Sequence, residues 1–130
     1  MGDQANEDVV RRAYQAFNEG DGATLTEVFA EDAVWNAGGD NAVSGTFKSR
    51  DSTFGMFARL AELTDGSYRV EPQEVSSDGD EVTARHRATA KRGDKTLDTM
   101  STIRFRMSGG RIAEATETLD DQAAFDSFIA

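Results

Sequence analysis

The sequence predicts an α+β fold in which N-terminal helices cover one face of a strongly curved antiparallel sheet, with a short helix at the C-terminus. Three observations predict it. Apolar residues recur at three- and four-residue steps through the first half of the chain. Four consecutive runs with strand-like alternation follow, separated by turn residues. A last helical pattern closes the chain. A curved sheet roofed by helices encloses a cone-shaped hollow, the kind of place where small molecules bind.

Val10, Ala13, Tyr14 and Phe17 share one face of a first amphipathic helix, which stops at "NEGD", where Gly20 can turn left-handed. Leu25, Val28 and Phe29 mark a second short helix, with Thr24 as a plausible cap. "AVW" reads as a brief extended segment and "NAGGDNAVSG" as loop. Asp51 or Ser52 can cap a third helix. Its buried face would carry Phe54, Phe57, Ala58 and Ala61, with Leu60 at the margin, and "TDG" closes it. The strand runs are "SYRVEPQEV", "EVTARHRATAK", "KTLDTMSTIRFRM" and "RIAEATETL", joined by "SSDGD", "RGD" and "SGG". Pro72 inside the first run indicates a bulge or a sheet edge. Ala124, Phe125 and Phe128 share a face of the terminal helix.

At 130 residues, 1–130 is one domain with a single core. The composition, 38% apolar and 29% charged, suits a soluble globular chain. Its 24 acids against 14 bases give a net charge of −10, which repels phosphates and argues against nucleic acid. There is no Cys and a single His, so disulfides, thiol chemistry and a structural zinc site fall away. "MGDQANED" is not a secretory signal, and no stretch is long enough to cross a bilayer, so a cytoplasmic protein without a membrane role is expected. No Gly-rich phosphate loop or metal-ligand spacing is present, and no cofactor is implied.

The stretches "VVRRAYQAFNEGDGATLTEVFAEDAVW", "SGTFKSRDSTFGMFARL", "LDTMSTIRFRMSGGRIAE" and "DDQAAFDSF" resemble the NTF2-like superfamily, in its SnoaL-like or ketosteroid-isomerase-like branch. The resemblance implies an NTF2-like cone and a homodimer formed through the sheet. It also implies that Glu31 and Asp32 end the second helix, that Trp35 walls the pocket, and that Asn36 or Ala37 sits near its polar spot. The superfold hosts isomerases, cyclases, dehydratases, epoxide hydrolases and non-catalytic binders.

Isomerase chemistry of the ketosteroid type needs a carboxylate base and donors facing the enolate oxygen. By motif the base falls at about Ala37 and the neutral acid near Ile103, or at Ser101 after a two-residue shift. The tyrosine falls at Ala13, with Tyr14 one place along. The required groups are absent or displaced. The epoxide-hydrolase branch needs an Asp–Arg–Asp set, but alternation puts Asp98, Met100 and Arg104 opposite Thr99, Ser101, Ile103 and Phe105, hence outward.

His86 groups with Val82, Ala84, Ala88 and Ala90 on one face, while Arg85 and Arg87 take the other. On the last strand, Glu117 groups with Ala113 and Ala115, and burial there would raise its pKa. His86 with Glu117 is the acid–base pair that parity offers. Two functional readings stay open. An enzyme acting by acid–base chemistry on an apolar carbonyl or polycyclic substrate would bring His86, Glu117, Asn36 and Tyr14 to one cavity. A non-catalytic binding or dimerisation domain would only line that cavity, with Phe17, Trp35, Phe54, Phe57, Ile103, Phe105 and Ala115.

Overall fold

The computed structural model describes residues 2–130, with helices α1 (Gly2–Glu19), α2 (Gly22–Val28), α3 (Arg50–Leu63) and α4 (Gln122–Ile129). The strands are β1 (Phe29–Ala37), β2 (Gly45–Phe47), β3 (Arg69–Asp78), β4 (Glu81–Arg92), β5 (Lys95–Ser108) and β6 (Arg111–Leu119). They form one six-stranded sheet in the order β2-β1-β6-β5-β4-β3. The four expected runs become β3 to β6, each pairing antiparallel with the next. To these antiparallel strands β1 adds a parallel pairing with β6. β1 is longer than "AVW" and collects the last strand after the intervening chain has crossed over, so the sheet is mixed.

Local chemistry sets the helix ends. Gly20 has φ 68°, and the Asp21 amide donates to Ala16 at 2.9 Å, closing α1 with a left-handed cap. Asp21, not Thr24, caps α2, its carboxylate accepting from the Thr24 amide at 3.1 Å. Ser49, not Asp51 or Ser52, caps α3 by accepting from the Ser52 amide at 3.0 Å. In both cases the expected cap is instead the third helical residue, which the true cap binds. Phe29 leaves α2 and opens β1. The buried face of α3 carries Thr53, Met56 and Leu60, while Ala58 and Ala61 are exposed. In α4, Phe125, Phe128 and Ile129 are buried and Ala124 is exposed.

Pro72 sits both on an edge strand and at a bulge, the register shifting between Pro72 and Glu74. A second shift lies between Arg106 and Met107, where Ile112 and Glu114 take successive partners and Ala113 is the extra residue. The bulge explains why Ile112 is fully buried on the core side, although simple alternation groups it with Glu114. Beyond it the parity is regular, and Ala115 and Glu117 face inward. The core lies between this face and the helices, with Val10, Val28, Val82, Ala84, Ala88 and Ile112 nearly or fully buried.

Candidate functional site

Three strands carry one row of residues across the inner face. Glu117 on β6 pairs in register with Ala37 on β1 and with Ile103 on β5. The next row brings His86 on β4 opposite Ser101 on β5. Helix α1 crosses above them and lowers Tyr14 onto His86.

The result is a chain of polar contacts inside apolar surroundings. The Tyr14 hydroxyl lies 2.8 Å from His86 Nδ1, and the two rings meet edge-on at 5.2 Å. His86 Nε2 lies 3.6 Å from Glu117 Oε2, which accepts from the Ser101 hydroxyl at 2.7 Å. His86 is 1% exposed and the Glu117 side chain 17%. His86 Nε2 is one of two buried side-chain nitrogens with no hydrogen-bond partner among the described residues, the other being Trp35 Nε1.

Burial governs the charges. It raises the Tyr14 hydroxyl far above its ordinary pKa, and the Glu117 charge raises it further. Burial, then the Arg85 charge, lowers His86 from 6.5 to about 4. Glu117 is raised by burial against the opposing Ser101 hydrogen bond. With the un-ionised Tyr14 hydroxyl as donor to Nδ1, the imidazole carries its proton on Nε2, which faces Glu117; this tautomer fits the carboxylate beside Nε2. The arrangement can hold or move a proton at Glu117 while fixing the imidazole's orientation.

These groups border a cavity of about 540 Å³, counting its open mouth. The cavity is lined by Ala13, Tyr14, Phe17, Leu25, Phe29, Trp35, Met56, Phe57, Leu60, Tyr68, Val70, His86, Ile103, Phe105 and Glu117. Phe57 meets Trp35 edge-on at 5.1 Å and Phe17 at 5.2 Å, which ties α3 to the chamber wall.

Tyr14, His86 and Glu117 are thus brought together. Asn36 is not. Trp35 and Ala37 point inward, so alternation turns Asn36 to the other face, where its amide donates to Thr116 Oγ1 at 3.1 Å and Glu114 Oε2 at 3.3 Å. Of the residues expected to line it, Phe17, Trp35, Phe57, Ile103 and Phe105 border the cavity, and Phe54 and Ala115 do not. Phe54 stacks behind Phe57 at 6.1 Å, and Ala115 lies fully buried between Trp35 and Phe105, its partners in register. Glu31 and Asp32 are exposed and lie within β1 rather than at a helix end. On the outer face of the sheet, Arg87 pairs with Asp98, and Arg85 with Asp120 at 3.0 Å, while Arg104 is exposed. No group of three or more His, Cys, Asp or Glu side chains could hold a metal among the described residues.

Tyr68 is a polar cavity residue that sequence reasoning missed. It is 7% exposed, lines the cavity, and its hydroxyl is held well above its ordinary pKa, first by burial and then by the Glu117 charge. Its signal was alternation with Val70 in the run "SYRVEPQEV", which puts both side chains on one face.

Comparison with known proteins places this architecture. The SnoaL-like domain family matches residues 10–115, and the chain belongs to that family, within the NTF2-like superfamily. It is 37% identical, over the full length of both chains, to an uncharacterised protein of Mycobacterium tuberculosis. The structure of Bal32a, from a soil-derived mobile gene cassette, superposes with a TM-score of 0.97 at 37% identity, covering 100% of both chains. Wild-type IdmH, a proposed polyketide cyclase from Streptomyces antibioticus, superposes with a TM-score of 0.77 at 23% identity, covering 89% of this chain and 92% of its own.

Proposed function

We propose that this SnoaL-like domain binds an apolar carbonyl compound in its chamber and moves a proton on it, in a reaction of the isomerase or cyclase type. The observation that carries the reading is the single carboxyl of Glu117, desolvated at the cavity wall in the row between Ala37 and Ile103. Those two neighbours are the places where motif comparison looked for a base and a neutral acid. One carboxyl on the intervening strand reaches the same part of the hollow.

In this mechanism Glu117 takes a proton from the carbon beside the ligand's carbonyl. A carboxyl of raised pKa is the stronger base once ionised, which favours taking the proton from carbon, and the same group holds that proton for return to the ligand. Negative charge then grows on the carbonyl oxygen, and the un-ionised Tyr68 hydroxyl is the lining group suited to donate to it. His86 is a positioning residue: fixed by Tyr14, it turns its Nε2 proton toward Glu117. The ring-lined remainder of the chamber excludes water and holds the ligand's apolar body. The cyclase assignment proposed for IdmH concerns another chain of this fold and puts such a reaction within the fold's range. Self-association through the outer face of the sheet belongs to the same proposal and is checked by sedimentation.

The test needs no knowledge of the natural substrate. Exchange of the α-hydrogens of 1-acetonaphthone in deuterated buffer, followed by proton NMR, should be faster with the protein than without it. Glu117→Gln should cut the protein-dependent rate by about 100-fold or more. A ketone that binds but exchanges no faster than in buffer would leave the non-catalytic binding domain as the better reading.

A further inference from the structure

A second, smaller cavity lies against the first. It measures about 320 Å³ counting space open to solvent, and four residues line both cavities: Met56, Leu60, Tyr68 and Glu117. The polar partition between the two is therefore the Tyr68 hydroxyl and the Glu117 carboxyl. Beyond it the walls are mostly apolar, from Ala37, Val43, Leu119 and Phe125. Asn41 also borders this annex, but its amide is engaged: Nδ2 donates to Asp126 Oδ1 at 2.6 Å, and Oδ1 accepts from the Val43 amide at 2.8 Å.

The far side of the annex is fastened. Asp126 of α4 accepts from Asn41 and from the Asp40 amide, so the loop of residues 38–44 is tied to the last helix. Gly39 packs so closely there that a side chain at this position would strike Gln122 and Asp126.

We infer that the annex is a second subsite, taking a short unbranched alkyl arm of a ketone whose aromatic body fills the main chamber and whose carbonyl lies at the Tyr68–Glu117 partition. The inference rests on the function proposed above and sharpens its substrate class to aryl alkyl ketones. Two features carry it: the partition puts the polar groups in the middle of a longer apolar space, and the residue of β1 beside Glu117 is Ala37, which leaves that space open. A ligand with apolar groups on both sides of one oxygen fits this arrangement better than a compact one.

The experiment measures binding of 1-naphthyl methyl, ethyl and propyl ketones by calorimetry. Affinity should rise about fourfold for each added methylene, the gain expected when a CH₂ leaves water for an apolar site. Leu119→Phe, which fills the annex without touching the main chamber, should remove that gain while keeping the methyl ketone within about twofold of the wild type. Val43→Phe gives an independent filling from the loop, and thermal melting confirms that each variant is folded. Equal affinities for all three ketones, or a gain that survives both fillings, would overturn the annex and leave the chamber standing. If none of the three ketones binds, the proposed function falls and the annex falls with it.

Discussion

At the scale of single residues, the Tyr14 hydroxyl and His86 depend on each other. Replacing Tyr14 with Phe keeps the ring but removes the proton that satisfies Nδ1, leaving a buried acceptor unpaired. Such a loss costs about 1–3 kcal/mol, so Tyr14→Phe should lower the urea midpoint accordingly without changing the fold. His86 and Glu117 were legible because strand alternation needs only the local sequence: both fall on faces whose neighbours are small. Asn36 was misplaced by setting the same alternation aside, since Trp35 inward requires Asn36 outward. Tyr68 escaped although it alternates with Val70 in the run "SYRVEPQEV", because alternation assigns a face and not the packing against Phe17 and Phe125 that buries it.

At the scale of elements, caps and bulges decide which side chains arrive at the site. Ser49 holds the start of α3, the helix that contributes Met56, Phe57 and Leu60 to the chamber. Ser49→Ala should cost about 1 kcal/mol of stability by denaturant titration, while Ser52→Ala should cost less, since the Ser52 amide is the donor. The caps were blurred in the sequence because polar residues stand both at the cap and three places later, and either could begin the helix. The bulge at Ala113 was invisible for a related reason: a one-residue slip reverses a face, and nothing in "RIAEA" marks where the slip falls. The parallel pairing of β1 with β6 joins residues about 80 apart, which no local pattern specifies.

At the scale of the whole molecule, two buried titrating groups bend the stability curve in opposite senses. His86 has a folded pKa of about 4, below its ordinary 6.5, so the unfolded chain binds the extra proton first. Its contribution is complete above pH 6.5 and is lost as pH falls toward 4, by up to about 3 kcal/mol. Glu117 is raised above the ordinary carboxyl value, so its contribution is present below that value and is lost as pH rises through its folded pKa. Glu117→Gln should therefore stabilise the protein at pH 8 relative to wild type, with the advantage shrinking near pH 4, as read by urea melts at both values. The order of helices and strands was open to the sequence because each element carries its own period. The meeting of Tyr14, His86, Ser101 and Glu117 depends on how α1 crosses the sheet, and that emerges only in three dimensions.

The chain has one histidine, so its imidazole resonances need no assignment. Following them by NMR from pH 3.5 to 8 tests directly whether His86 is a buried, neutral ring held between Tyr14 and Glu117. A ring held in this way shows no titration near pH 6.5, a midpoint near 4 and a persistent Nε2–H tautomer. A solvent-like midpoint between 6 and 7 with rapid tautomer exchange would contradict it.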